Sequence, residues 1–170
     1  MTIRALLDGE IIDADLGGDR WLCSWHGADI APEGTAHGSS AMCVTALGQV
    51  VLVTSDGERW DAPGGRPKPG ETWAETLCRE VLEEACASVI TSRLLGFSVG
   101  KCIGGREAGL TLVRSLWRAD VELAEWNPRF ETKARRIETP RRAWRLLQAA
   151  NPSTAPLYRR WFEECGLGDA

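Results

Sequence analysis

Three glutamates, Glu80, Glu83 and Glu84, stand at positions i, i+3 and i+4. In a helix this spacing projects their side chains into one sector of roughly 100°. Like charges placed so closely weaken the helix that carries them. A hard divalent cation would reverse that effect, because Mg2+ and Mn2+ prefer carboxylate oxygens. Metal binding is therefore the chemistry open to this face. An ordinary solvated acidic face is the competing reading, since Glu83 lies almost opposite the apolar stripe of the same helix. Arg79, four residues before Glu83, can pair with it.

The residues that must position these carboxylates come just before them. Trp60 to Pro69 is rich in proline and glycine, and Pro63, Pro67 and Pro69 exclude a helix there. A helix is expected from about Thr72 to Cys86, capped by Glu71 or Thr72. At 100° per residue Ala74, Leu77, Cys78, Val81, Leu82 and Ala85 share one arc, the expected core-facing stripe.

Read from Gly65, the order is five residues, Glu71, seven residues, Arg79-Glu80-Val81, one residue, Glu83-Glu84, one residue, Cys86-Ala87. This resembles the Nudix box: glycine, five residues, Glu, seven residues, Arg-Glu-aliphatic, one residue, Glu-Glu, one residue, glycine, aliphatic. The preceding Ala62-Pro63-Gly64 is similar to the Pro-Gly-Gly entry common in that family. Two positions depart, with Cys86 in place of the glycine and small Ala87 in place of a larger aliphatic. That glycine normally ends the helix with positive φ, where a Cβ is costly, so the helix is expected to end differently here.

The resemblance implies an α/β fold, a Nudix-type α/β/α sandwich with a mixed β-sheet. It implies Mg2+-dependent hydrolysis of a phosphoanhydride in a nucleoside diphosphate linked to another moiety. A (d)NTP or an ADP-ribose-like nucleotide sugar would fit, with Mn2+ as a substitute metal. By position, Glu80 and Glu84 would be the main metal ligands. Glu83 would be a further ligand or the base near the attacking water, and Arg79 would orient the carboxylates. Glu83, Arg79 and Glu84 thus form the expected catalytic set. Gly64 and Gly65 would let backbone approach metal and phosphates, and Glu71 would steady the loop-helix unit. A catalytically silent Nudix-fold nucleotide-binding or regulatory module is the alternative. Homodimers are frequent in the family, so one is expected as an option here.

Elsewhere, Ala41 to Leu47 and Val50 to Thr54 read as a hairpin turned at Gly48-Gln49. Ser88 to Val99 and Leu110 to Ala124 read as strands, and Pro140 to Ala149 and Pro156 to Cys165 as amphipathic helices. Mixed strands and helices without repeats suit an α/β sandwich. Residues 1–38 read as an irregular extension packed on a domain spanning 39–170, although Trp21 to Trp25 could form a short strand. Trp60 could line a base pocket and stack on a nucleobase, with Trp117 and Trp126 as further candidates; core packing is the alternative for each. Arg135, Arg136, Arg141, Arg142 and Arg145 are read first as a solvated face and second as a polyphosphate-steering patch. Glu131 is a candidate distal base, while His26 and His37 are read as non-functional.

The net charge of -4 argues against a generic nucleic-acid binder. A small nucleotide is therefore the expected partner, with no nucleic acid and no membrane. No apolar run approaches the roughly 20 residues of a membrane span, and the start lacks a secretory pattern, so a cytoplasmic location is expected. The six cysteines form no C-x-x-C pair and are expected as reduced thiols.

Overall fold

The computed structural model describes residues 2–168. Among these, eight strands form one mixed sheet: β1 (Ile11–Leu16), β2 (Asp19–Gly27), β3 (Thr35–Val44), β4 (Val50–Thr54), β5 (Gly64–Gly65), β6 (Ala87–Gly104), β7 (Thr111–Leu123) and β8 (Ala134–Glu138). The order is β1-β2-β6-β7-β3-β4-β8, with β5 paired to β3. Only β3 and β7 run parallel; the other pairs are antiparallel. Helix α1 (Trp73–Ala85) packs on one face, and α2 (Pro140–Ala150) and α3 (Ala155–Glu164) pack on the other. The architecture is the expected α/β/α sandwich.

Strand periodicity explains the two layers. In β3, Ala41 and Cys43 join the α1-side core while Met42 and Val44 join the α2/α3-side core. In β4, Val51 and Val53 face α1 while Val50 and Leu52 face the other layer. A strand covered on both faces must be apolar at every position, which is why these runs do not alternate with polar residues.

The reading of residues 1–38 as irregular is corrected. β1 and β2 form an antiparallel hairpin, and β2 docks along β6 with Trp25 opposite Ser98. Gly17 and Gly18 turn it at φ 66° and 87°, the left-handed pair that a two-residue hairpin favours. Trp21, Cys23 and Trp25 alternate inward, and Gly96 and Gly100 of β6 leave room for the two indole rings.

α1 begins close to expectation. The Thr72 hydroxyl accepts from the Glu75 N–H, and the Glu75 carboxylate accepts from the Thr72 N–H, a reciprocal cap. Its buried stripe is narrower than the helical wheel suggests. Leu77, Val81 and Ala85 are buried, whereas Cys78 is exposed and Leu82 is 55% exposed. The sheet simply covers less than the full apolar arc. All six cysteines are free thiols. Among the described residues no helix is long and apolar enough to cross a membrane.

Candidate active site

The loop-helix unit is anchored by one arginine. Arg79 Nε donates to Glu71 Oε1 at 2.6 Å and its Nη2 to Glu71 Oε2 at 2.8 Å, a bidentate pair. Its Nη1 donates to Glu80 at 2.6 Å and to Glu83 at 3.3 Å, and its Nη2 also donates to the Arg66 carbonyl at 2.8 Å. Glu71 further accepts from the Lys68 N–H and the Thr76 hydroxyl, so it ties the loop to the first turn of α1. The Arg79 hydrogen bonds hold the Glu71 carboxyl at about 2, far below its ordinary value.

The backbone around Gly64 leaves no room for a side chain, and one at Gly65 would displace the Glu80 carboxyl group. A Cβ at Gly64 would collide with the Ser40 hydroxyl and the Ser39 carbonyl, and one at Gly65 with the Glu80 carboxyl group. Glu80 therefore lies directly against bare backbone. Glu84 projects to the same place, where the Gly64 N–H donates to its Oε2 at 2.9 Å. Burial raises the Glu84 carboxyl to about 7; Glu80 and Glu131 repel its charge further, while the Gly64 N–H and Arg114 oppose the rise.

Among the described residues no three His, Cys, Asp or Glu side chains converge into a ready-made metal cage. The cause is visible: Glu80 and Glu83 both turn toward Arg79. The donor set nonetheless fits a hard divalent cation. Three carboxylates share one helical sector, and the buried Glu84 charge has no cation bonded to it among the described residues.

Beside Gly64 and Glu84 opens a cavity of about 660 Å³ that runs between the sheet and the α2/α3 layer. His37, Ser40, Arg66 and Arg114 line it, with Arg66 and Arg114 near the His37 ring. Arg114 Nη1 donates to the Ser40 hydroxyl at 2.7 Å. Burial pushes the His37 ring down to about 4, with Arg114 and Arg66 adding to the effect. Asp61 also lines it and accepts from the Tyr158 hydroxyl at 3.0 Å on both oxygens and from the Ala62 N–H at 2.8 Å. Trp21 and Trp161 also line the cavity.

The NUDIX domain family model matches residues 36–165 of this chain. The chain belongs to the Nudix family. Its fold is similar to that of the Bacillus subtilis pyrophosphohydrolase BsRppH, at TM-score 0.66 and 23% identity over 86% of this chain and 92% of that one. A NUDIX hydrolase from Nitrosomonas europaea superposes at TM-score 0.61 and 20% identity, covering 79% and 90% of the two chains. A MutT structure from work on Aliivibrio salmonicida and Vibrio cholerae follows at 0.53 and 11%, covering 74% and 94%. No curated protein matches the chain in sequence.

The Nudix box thus brings Gly64, Gly65, Glu71, Arg79, Glu80, Glu83 and Glu84 into one cluster. The structure does not bring Trp60 there. Trp60 is 8% exposed, sits in the α2/α3-side core and carries the Arg136 guanidinium 4.5 Å from its ring centre, so no face is open to a base. Trp117 is buried on the α1 side and donates to the Ser115 hydroxyl. Trp126 is covered by Arg135. Nor do the arginines form one patch. Arg135 Nη1 donates to the carbonyls of Ala85 and Cys86 at 2.8 and 3.1 Å, a cation at the C-terminal end of α1, and Arg142 pairs with Glu138. Arg141 and Arg145 point to solvent.

Cys86 does what glycine does at this place. It adopts φ 48°, ψ 49° and donates its N–H to the Leu82 carbonyl, the one non-glycine with positive φ among the described residues. The expectation of a different helix ending is corrected. His37, read as non-functional, lines the cavity. Arg114, Asp61 and Tyr158 were not singled out, because they lie on β7, a loop and α3 and carry no local motif.

Proposed function

We propose that this Nudix protein hydrolyses a phosphoanhydride bond in a nucleoside diphosphate linked to another moiety, such as a (d)NTP or an ADP-ribose-like nucleotide sugar. The observation that carries this reading is the gathering of Glu80, Glu83 and Glu84 around Arg79 beside the bare backbone of Gly64 and Gly65. Glu80, Glu83 and Glu84 would hold Mg2+, with Mn2+ as a substitute. The bound ion supplies charge neutralisation at the phosphates and a more acidic water. The rest of the chemistry belongs to the chain's own residues. Arg79 orients the carboxylates, and Glu71 holds Arg79 to the loop. Glu83, a further ligand or the base near the attacking water, accepts that water's proton. The Gly64–Gly65 backbone lies next to the phosphates, where a side chain would obstruct them.

Residues 1–38 act in this reading as an extension packed on the domain of residues 39–170, contributing Leu16, Trp21 and Cys23 to the cavity wall. Nothing specific favours a catalytically silent module, since Cys86 keeps the helix end that the family's glycine would make. The test is a phosphate-release screen over (d)NTPs, ADP-ribose, other nucleotide sugars and dinucleoside polyphosphates with Mg2+ or Mn2+. Turnover that chelation stops is expected; no release from any of them would overturn the reading.

A further inference from the structure

Arg114 is the unusual cation of this molecule. Its guanidinium occupies the space beside Gly38, where a Cβ would come within 2.6 Å of Cζ and Nη1. Only glycine leaves room for it. The group can donate five hydrogen bonds. The described residues take one, through the Ser40 hydroxyl, and none of their carboxylates lies within ion-pair reach of it. Asp61 is nearby, but its oxygens are engaged by Tyr158, Ala62 and Asn151.

The unused donors are not sealed into the core. Trp25 Nε1 is the one fully buried polar side-chain atom without a partner among the described residues. The free N–H groups of Arg114 therefore open into the cavity it lines together with Gly64, Glu84, His37 and Arg66. Arg66, an exposed residue of the same lining, likewise makes no ion pair with a described residue. Asp61 and Glu84 act on this guanidinium only from beyond ion-pair distance, and burial still lowers its pKa; an anion bonded to the free donors would offset that cost.

We propose that Arg114, seated on Gly38 with Arg66 beside it, is a polyphosphate-binding subsite that grips non-bridging phosphate oxygens independently of the metal. The inference rests on the hydrolase reading for its substrate, but the subsite is defined by its own geometry. The planar fork of Arg114 offers two parallel donors to a phosphate. It thereby sets the chain of phosphates against the Nudix box.

The test is calorimetric binding of inorganic pyrophosphate to metal-free protein in chelator. The parent should bind, Arg114→Gln should bind at least about tenfold more weakly, and Arg145→Gln, an equal loss of charge on the exposed face of α2, should match the parent. Gly38→Ala, which displaces the guanidinium without removing charge, should also weaken binding and guards against misfolding of the glutamine variant. A structural counter-charge for Asp61 and Glu84 would instead lower the melting temperature of Arg114→Gln while pyrophosphate binding stayed at the parent level; that result, or a parent that ignores pyrophosphate, overturns the subsite. On an active substrate Arg114→Gln should raise KM far more than it lowers kcat. Pyrophosphate binding that depends on Arg114 without turnover of any nucleotide would sink the hydrolase reading alone. Turnover with an unchanged KM in Arg114→Gln would sink the subsite alone.

Discussion

Arg79 and Arg114 are two partly buried arginines near the carboxylates of α1, in opposite conditions. Arg79 reaches three carboxylates and a backbone carbonyl, and its side chain is only 18% exposed. Arg114 reaches one hydroxyl and otherwise faces a cavity. The first region, from β5 through α1, is saturated by its own residues. The second, assembled from β3, β7 and the loop before α1, is left open. A saturated cation holds structure, whereas an open one is available to a ligand. The two regions should therefore fail differently when altered.

The largest effect is expected inside the saturated unit. Glu84→Gln keeps shape and its hydrogen bond from Gly64 but removes a metal-binding charge. It should lower kcat on the order of 10²-fold or more, in line with metal-ion charge stabilisation. Single-turnover rates with the substrate found by the screen would check this, and a parent-like rate would refute the site.

Next comes Arg79→Ala, which strands three carboxylates that are 12–23% exposed. A hydrogen bond to a charged group contributes about 1.5–3 kcal/mol when fully shielded, and water screens these partly exposed pairs and solvates the stranded carboxylates, so a net loss of about 2 kcal/mol is expected. At this chain length that is a fall of about 4–8 °C in Tm. The pH dependence gives a second check. Glu71 sits at about 2 when folded, below its unfolded value, so its contribution is present above the unfolded pKa and is lost as pH falls toward 2. Melts between pH 5 and pH 2, a window set by the carboxylate range, should be steeper with pH in the parent than in Arg79→Ala. Equal slopes would mean that Arg79 does not hold Glu71.

The smaller effects compare the two ends of α1. Cys86→Gly should be more stable than Cys86→Ala by about 1 kcal/mol, because alanine retains the left-handed strain that glycine avoids. Equal melting temperatures would show that the left-handed cap is not occupied in solution. At the other end, Glu75→Gln should change stability by no more than about 0.5 kcal/mol, since Gln also closes a capping box. Its kcat should stay at the parent level, which makes it the charge control for Glu84→Gln.

The local parts were readable because their causes are local. The Thr72 cap, the proline-rich loop, the apolar runs of β3 and β4 and the box spacing all act within a few residues. β8 was not anticipated: Ala134–Glu138 is a short edge strand of mostly polar residues, so its pairing with β4 leaves no apolar signature. The β1–β2 hairpin did leave one, in Gly17-Gly18 and the alternation of Trp21, Cys23 and Trp25, but polar Asp13 and Asp15 obscured the first strand. Trp60 was misplaced because adjacency in sequence to the Gly64 loop says nothing about which face of the sheet its ring covers.

The sequence by itself determined the mixed α/β class and the boundaries of α1, because hydrophobic periodicity and capping are short-range physics, and its resemblance to the Nudix box singled out the carboxylate cluster. Only the tertiary structure decided that Glu80 and Glu83 lean on Arg79, that Cys86 accepts a left-handed cap, and that Arg114 faces a cavity beside Glu84. Those outcomes depend on segments distant in the chain meeting in space: Arg114 of β7 meets Ser40 of β3 across 74 residues, and Asp61 of a loop meets Tyr158 of α3 across 97. Burial, which turns such meetings into shifted pKa values and open donors, is a property of the packed layers and of no single segment.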